Sequence, residues 1–319
     1  MKTWKKVGVT ALAGSMVALS AQAVDVSVTG SMKMAYTGDS GAQDAANDGG
    51  RWGMSKAVAL SGSGEMDNGW IVSLTNSNIQ GSHASLAIDM GDAGTLTYQN
   101  VSGGLGIGKI DDMMPTADEE VWNGLTTSGS ATVTGKVSGG NNGFQYDNTF
   151  GDVSIGIGYE PKGGTAQGDG TNGGTGSNSS LSYTLKFSPM EGLNVGGGVG
   201  DVGTATAEDE HTTLYATYAV GSFTVGAQMS EVDYAANSND EESVAMSISF
   251  AVNDNLSISY GTWDTEQSGS TVDEQIDGVS IGYSMGGMTI KAHRNQGDNL
   301  GNGATASSEH TEIALSWAF

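Results

Sequence analysis

From residue 24 onward, apolar and polar residues change places one at a time. Val24, Val26, Val28, Met32, Met34 and Tyr36 share one parity, against Asp25, Ser27, Thr29, Ser31, Lys33 and Thr37. A period of two over this length predicts a strand with one apolar and one polar face. The pattern returns with Leu86, Ile88 and Met90, with Val153, Ile155, Ile157 and Tyr159, and with Leu181, Tyr183, Leu185 and Phe187. It returns again with Val244, Met246, Ile248 and Phe250, and last in TEIALSWAF, where Ile313, Leu315, Trp317 and Phe319 form one row.

The connections alternate in length. Short, turn-forming ones lie at 65–69, 91–94, 150–152, 188–192, 220–222, 252–255 and 285–287, where Gly or Asn can take positive φ. Long, acidic, Gly/Ser/Asn-rich ones run through 38–51, 101–142, 161–178, 203–210, 233–241, 265–274 and 296–308, and the one at 79–82 is brief. The count is sixteen strands, seven short turns and eight loops. This predicts an all-β, antiparallel up-and-down barrel closed between VDVSVTGSM and TEIALSWAF, with no free edge. About sixteen strands enclose an aqueous lumen rather than a packed core. The polar faces therefore line water and the apolar faces meet lipid, which makes the barrel transmembrane. Trp70, Phe150, Phe187, Phe223, Phe250, Tyr283 and Phe319 sit near short turns or the chain end and predict one interfacial ring. Tyr36, Trp52, Tyr159, Tyr234 and Trp263 predict a second ring at the loop ends.

Composition agrees with this picture and removes other functions. Of 319 residues, 51 are Gly and only 3 are Pro, which suits many strands joined by turns. A formal charge of −24 argues against nucleic-acid binding, which needs clustered Lys and Arg. The absence of Cys excludes disulfides, thiolate metal sites and Cys nucleophiles. Residues 1–23 differ from the rest: MKTWKK, an apolar stretch of 14 and a closing AQA predict a secretory signal peptide cleaved after Ala23. Residues 24–319 then form one barrel domain. His83, His211, His293 and His310 lie in separate strands without HxxxH or HExxH spacing, and no GxSxG elbow occurs, so no enzyme is predicted. Asp39, Asp44 and Asp48 share a Gly-rich loop that could hold Ca²⁺, although solvated carboxylates explain them as well. Acidic loop clusters could also hold Ca²⁺ or Mg²⁺ bridging to lipopolysaccharide; no other cofactor is expected.

The chain resembles the general diffusion porins of Gram-negative outer membranes. The resemblance rests on the signal peptide, EMDNGW and MGDAGTLTY at the second and fourth hairpins, NGFQYDNTF before the third short turn, and the terminal Phe319. It implies sixteen strands, a homotrimer, passive diffusion of small hydrophilic solutes, and a third long loop folded into the lumen. It also implies that the last strand, with Trp317 and Phe319, is read by the barrel-assembly machinery. The third loop, 101–142, centres on KIDDMMPTADEEVWNG, with Asp111, Asp112, Asp118, Glu119 and Glu120 against Lys109. The resemblance places these carboxylates around a Pro-containing turn, here Pro115, on the loop side of the constriction. The run from Thr116 to Glu120 departs from the family's usual Glu-Phe-Gly-Gly. A solvated acidic loop is the plain alternative.

Parity puts Lys33, Arg51, Lys186 and Lys291, with His83 and His293, on the luminal wall as the basic side. It also puts Lys56 on the lipid face with Met54 and Val58, unless a bulge resets the register near Ser55. Asp25, Asp89, Asp147, Asp152, Glu160 and Glu312 on the wall, with Glu208–Glu210 and 240–242 in the loops, predict a negative, cation-preferring mouth. A second loop of only 79–82 makes a latch onto a neighbouring subunit doubtful. The rival readings are a substrate-specific porin, a plugged barrel serving as adhesin or structural protein, and a secreted acidic β-solenoid. The first lacks a visible luminal charge ladder, and the last lacks a fixed repeat.

Overall fold

A computed structural model describes residues 25–41, 49–77, 84–100, 104–125, 143–161, 178–204, 207–235, 239–303 and 307–319. The expected signal segment, the second loop at 79–82, His83, Asp44, Asp48 and residues 126–142 of the third loop lie outside them. The strands are β1 (Asp25–Gly41), β2 (Gly49–Glu65), β3 (Ile71–Asn76), β4 (Ala84–Asp89), β5 (Thr95–Gln99), β6 (Gly143–Phe150), β7 (Val153–Glu160) and β8 (Ser180–Met190). They continue as β9 (Leu193–Gly203), β10 (Glu208–Val220), β11 (Phe223–Asp233), β12 (Glu241–Asn253), β13 (Leu256–Gln267), β14 (Glu274–Met285), β15 (Met288–Asp298) and β16 (Ser308–Ala318).

Each strand pairs antiparallel with its sequence neighbours, and β1 pairs with β16, so the sheet is a closed barrel of sixteen strands. Closure ends on two backbone bonds. Gly30 N–H donates to Phe319 O at 2.7 Å, and Phe319 N–H donates to Gly30 O at 2.9 Å. A Cβ at position 30 would stand 2.5 Å from the Phe319 ring, so a side chain there would have to displace that ring. The missing side chain of Gly30 is thus covered by the last residue of the partner strand.

The registers keep apolar residues opposite apolar residues on the outside. Ile155 pairs with Leu185, Ile157 with Tyr183, Ile248 with Tyr260, and Leu315 with both Met34 and Ile290. Aromatic pairs mark both ends: Tyr36 meets Trp52 edge-on at 5.4 Å, and Phe223 stacks on Phe250 at 4.5 Å. Such contacts add to the lipid burial of each ring.

Several expectations need correction. Trp263 does not join the outer ring. It sits in register with Ala245 and Ile276 on the luminal face and is 1% exposed, packed in a cluster with Leu125 and Leu300. Tyr234 also turns inward, packing near Ile107 and Val232 and donating to Glu241 Oε2 at 3.1 Å. Trp263 shares the parity of the luminal Ser259 and Gly261, and Tyr234 that of Gln228 and Ser230, so nearness to a loop end misled where parity points inward. The segment Glu208–Glu210 and residues Glu241 and Glu242 are paired strand rather than loop, because several strands on the long-loop side run past the apolar band. Asp39 lies on β1, bound to Arg51 and His310, while Asp44 and Asp48, the other two carboxylates of that segment, lie outside the described residues. Among the described residues no group of acidic or His side chains is arranged to hold a metal ion.

Lys56 is resolved in favour of strict alternation. The β1–β2 register runs without a shift from Asp25↔Ser63 to Asp39↔Gly49, and Lys56 stands opposite Met32. No bulge turns it inward, and its outward-facing ammonium lies four residues from Trp52 of the interfacial ring. A cation on the lipid face costs about 2–4 kcal/mol at the midplane and less near the interface. Lys56→Met should therefore stabilise the barrel by about 1–3 kcal/mol in urea unfolding from lipid vesicles. An unchanged midpoint would mean that the ammonium already reaches polar headgroups or a counter-charge.

Candidate pore constriction

The described part of the third loop does not stand off in solvent. Its described part, 104–125, crosses the luminal faces of β6 to β16 and is held by the wall's short side chains. Gly106 N–H donates to Gln145 Oε1 at 2.7 Å, and Ile107 N–H to Ser182 Oγ at 3.0 Å. Ile107 is fully buried against Val232. Further on, Gln228 binds the loop from both ends of its amide, donating to Ile110 O at 3.0 Å and accepting from Met113 N–H at 2.8 Å. Ser247 Oγ donates to Pro115 O at 3.0 Å, and Ala117 N–H donates to Ser259 Oγ at 3.0 Å. Asn295 then donates to the carbonyls of Glu120 and Asn123 at 3.1 and 3.0 Å. These bonds satisfy backbone groups that would otherwise be buried unpaired along the wall.

The wall is shaped for this passage. A Cβ at Gly226 would stand 2.6 Å from Pro115 Cδ, one at Gly282 2.6 Å from Ala117 O, and one at Gly261 3.0 Å from Val121. Gly158 and Gly198 make the same allowance for Gly106 and Ile107. The inward-facing glycines of β7 to β14 thus form a groove that the loop fills. Beyond it, Trp122 meets Trp263 edge-on at 4.4 Å, and Leu125 packs with Trp263, Ile276 and Leu300.

Charged tethers fix both ends of the crossing. Lys109, on the loop, grips both oxygens of Asp147 on β6 at 2.9 and 3.1 Å. Asp118, on the loop, meets Lys291 Nζ at 3.3 Å and His293 Nδ1 at 2.7 Å, both on β15. The Asp118 side chain is 4% exposed. Burial pushes its carboxyl up, but the His293 hydrogen bond and the Lys291 charge outweigh that and hold it below the ordinary carboxylate range.

The residues singled out from sequence therefore separate by partner. Lys33 pairs with Glu312, Arg51 with Asp39, and Lys291 with Asp118, so three of the four wall bases stand beside carboxylates. Lys186 is exposed on β8, in register with Ser154 and Gly196, and makes no ion pair among the described residues. Asp111 and Asp112 are half-buried, and Asp112 Oδ1 caps its own turn by accepting from Met114 N–H at 2.8 Å. Glu119 and Glu120 are half-buried with no side-chain ion pair among the described residues. Trp317 and Phe319 lie outside, at the closing seam, with Phe319 81% exposed.

Sequence reasoning missed Gln145, Gln228, Asn295 and the serines, whose types are common on any luminal face. It missed the role of His310 as well. That residue stacks on His293 with ring centroids 5.4 Å apart, although the two lie seventeen positions apart in the chain. The usable signal was the run of inward glycines on β7 to β14, against Ser, Thr and Ala on β1 to β5.

A family model described as Gram-negative porin matches residues 8–299. No curated protein sequence matches. Among solved structures, a porin refined at 1.8 Å superposes with a TM-score of 0.67 at 14% identity, covering 92% of this chain and all of that one. An anion-selective porin from Comamonas acidovorans gives 0.63 at 15% identity, covering 93% and 100%. OmpT, an outer membrane protein of Vibrio cholerae in its trimer form, gives 0.62 at 13% identity, covering 93% and 100%.

Filling the groove tests whether the loop bounds the open lumen. Gly226→Val should push Pro115 away from the wall, lower the single-channel conductance, and cost about 1–3 kcal/mol of stability. Conductance equal to that of the parent barrel would mean that this stretch of loop does not limit the opening.

Proposed function

The chain belongs to the Gram-negative porin family, and we propose that it is a cation-preferring diffusion pore whose third loop forms the constriction. Family membership makes it an outer-membrane channel for passive diffusion, not an enzyme. The finer reading rests on one observation: the wall bases Lys33, Arg51 and Lys291 are matched by Glu312, Asp39 and Asp118, while among the described residues Glu119 and Glu120 on the loop carry no matching base and outnumber the one unmatched wall base, Lys186. Paired charges largely cancel at a distance, so the surplus sets the potential that a passing ion meets. With the acidic balance of the whole chain, that surplus is negative. The fold itself does not set the sign, since an anion-selective barrel shares it.

A homotrimer is the proposed assembly. The described strands β3, β4 and β5 have 6, 6 and 5 residues, whereas a tilted strand needs about 9–11 to cross a bilayer. Their outward Leu74, Leu86 and Leu96 are exposed, which suits coverage by neighbouring copies. OmpT, a barrel of the same fold, has a trimer form. The exposed Trp317 and Phe319 suit recognition by assembly machinery before the seam closes, and lipopolysaccharide is the proposed neighbour of the acidic outer rim.

Purified protein in a planar bilayer under a KCl gradient tests the selectivity. The reversal potential should be cation-directed, and the preference should shrink from 0.1 to 1 M salt as the Debye length falls from about 10 to about 3 Å. Changing Asp111→Asn, Asp112→Asn, Glu119→Gln and Glu120→Gln together should lower the cation-to-anion permeability ratio several-fold. Anion-directed potentials at neutral pH would refute the proposal. For the assembly, unheated detergent extracts should migrate as a trimer on native gels and collapse to monomer on boiling; a monomer band in both lanes would remove the trimer.

A further inference from the structure

Leu125, at the far end of the described loop, is buried partly by a side chain from an outer connection. Between β15 and β16 the chain turns inward through Leu300–Asn302. Leu300 is 1% exposed and joins Leu125, Trp263 and Ile276 in one cluster. Met114, Val121 and Trp122 of the loop pack against the same cluster. Gly297 on β15 is its floor: a Cβ there would collide with Leu300 Cδ2 and stand 3.3 Å from Leu125 Cδ1. Leu300 and Leu125 thus share the space that a side chain at 297 would take.

The turn is built to hold Leu300 in place. Asn299, Gly301 and Asn302 take positive φ, at 53°, 66° and 57°, which folds the backbone tightly around Leu300. After Gly, Asn is among the residues that adopt this conformation most readily. Hydrogen bonds then fix the turn to its neighbour. Gly301 N–H donates to Glu274 Oε2 at 2.6 Å, and Glu274 N–H donates to Asn302 Oδ1 at 3.3 Å. Asn299 Nδ2 donates to Asp273 O at 3.0 Å, and Ser270 Oγ donates to Asn302 O at 3.3 Å. The β13–β14 and β15–β16 connections are therefore locked together over the end of the third loop.

We propose that Leu300 is a positioning residue for the pore, and that the β15–β16 turn is a clasp keeping the far end of the constriction loop on the wall. The inference rests on reading that loop as the constriction. The wall's hydrogen bonds to the loop backbone reach as far as Asn295, which donates to the carbonyls of Glu120 and Asn123. Past that point Gly124 lies on the His310 ring, and Leu125 is held by apolar packing among Trp263, Ile276 and Leu300. An apolar cluster on a wet wall persists only while it is closed to water. Leu300 closes it from the outer side. Truncating a buried Leu removes its contacts and leaves a space that the surroundings fill only in part. Here that space would admit luminal water behind Leu125, so the loop end would loosen.

The chain has no Cys, so a single Leu125→Cys substitution reports on the loop end alone. In intact barrels a charged methanethiosulfonate should modify that thiol at least about tenfold faster when Leu300→Ala is added, because the reaction follows local opening. In planar bilayers at constant pH, Leu300→Ala alone should raise the open-channel current noise roughly threefold at an unchanged reversal potential. Leu300→Met, which fills a similar volume, should restore the parent noise. Equal thiol rates with and without Leu300 overturn the clasp. Faster rates with parent-like noise overturn its part in the pore, and a lower urea midpoint with neither change makes Leu300 an ordinary structural side chain. If Leu300→Ala fails to insert, Leu300→Val is judged by the same criteria, with smaller shifts in the same direction. Absence of conductance in the parent barrel sinks the pore reading instead, and the thiol rates still decide the clasp.

Discussion

Every backbone N–H and C=O that faces lipid must find its partner within the protein, because hydrocarbon offers none. For a chain whose apolar residues recur every second position, the solution is a sheet without edges. The bonds between Gly30 and Phe319 complete it, and the rest of the architecture depends on that closure. Closure at sixteen strands fixes a circumference, and the circumference leaves an interior too wide for side chains to fill. The barrel therefore inverts the usual arrangement: its apolar residues face out, and its inside is wet.

The described part of the third loop runs along the inner wall of that wide lumen. An apolar core could not hold it, since the wall is polar. It is held instead by backbone bonds to Gln145, Ser182, Gln228, Ser247 and Asn295, and by glycines that remove the side chains in its way. Only where the loop ends does an ordinary hydrophobic cluster form, around Trp263 and Leu125. The tethers are oppositely charged at the two ends, Lys109 to Asp147 and Asp118 to Lys291. A loop with acids only, facing a wall with bases only, would be a simpler picture than the one found.

The division between what could and could not be read from sequence follows from these forces. Strand number, turn positions and facing were legible because lipid imposes a strict period of two, and even Lys56 obeys it against its own cost. Strand ends were not, because pairing continues past the apolar band, where the alternation of hydropathy stops carrying information; Glu208–Glu210 is the example. Trp263 and Tyr234 were misplaced because the luminal face here contains apolar clusters that a wet-interior rule does not anticipate. The partners of individual charges were invisible as well. Asp39 and His310 lie 271 positions apart, and only the closing register of β1 on β16 brings them together.

That last point bears on how charge is used in such a pore. A carboxylate that holds the loop to the wall is neutralised by the base it holds, and contributes little to the field along the axis. Asp118 is of this kind, and so is Asp147 opposite Lys109. Glu119 and Glu120, next to Asp118 in sequence, have no such partner among the described residues. Three consecutive acids therefore divide into one that is paired with the wall and two that have no base beside them among the described residues. The division follows from geometry: the wall offers its base to one side chain and not to the two that follow it.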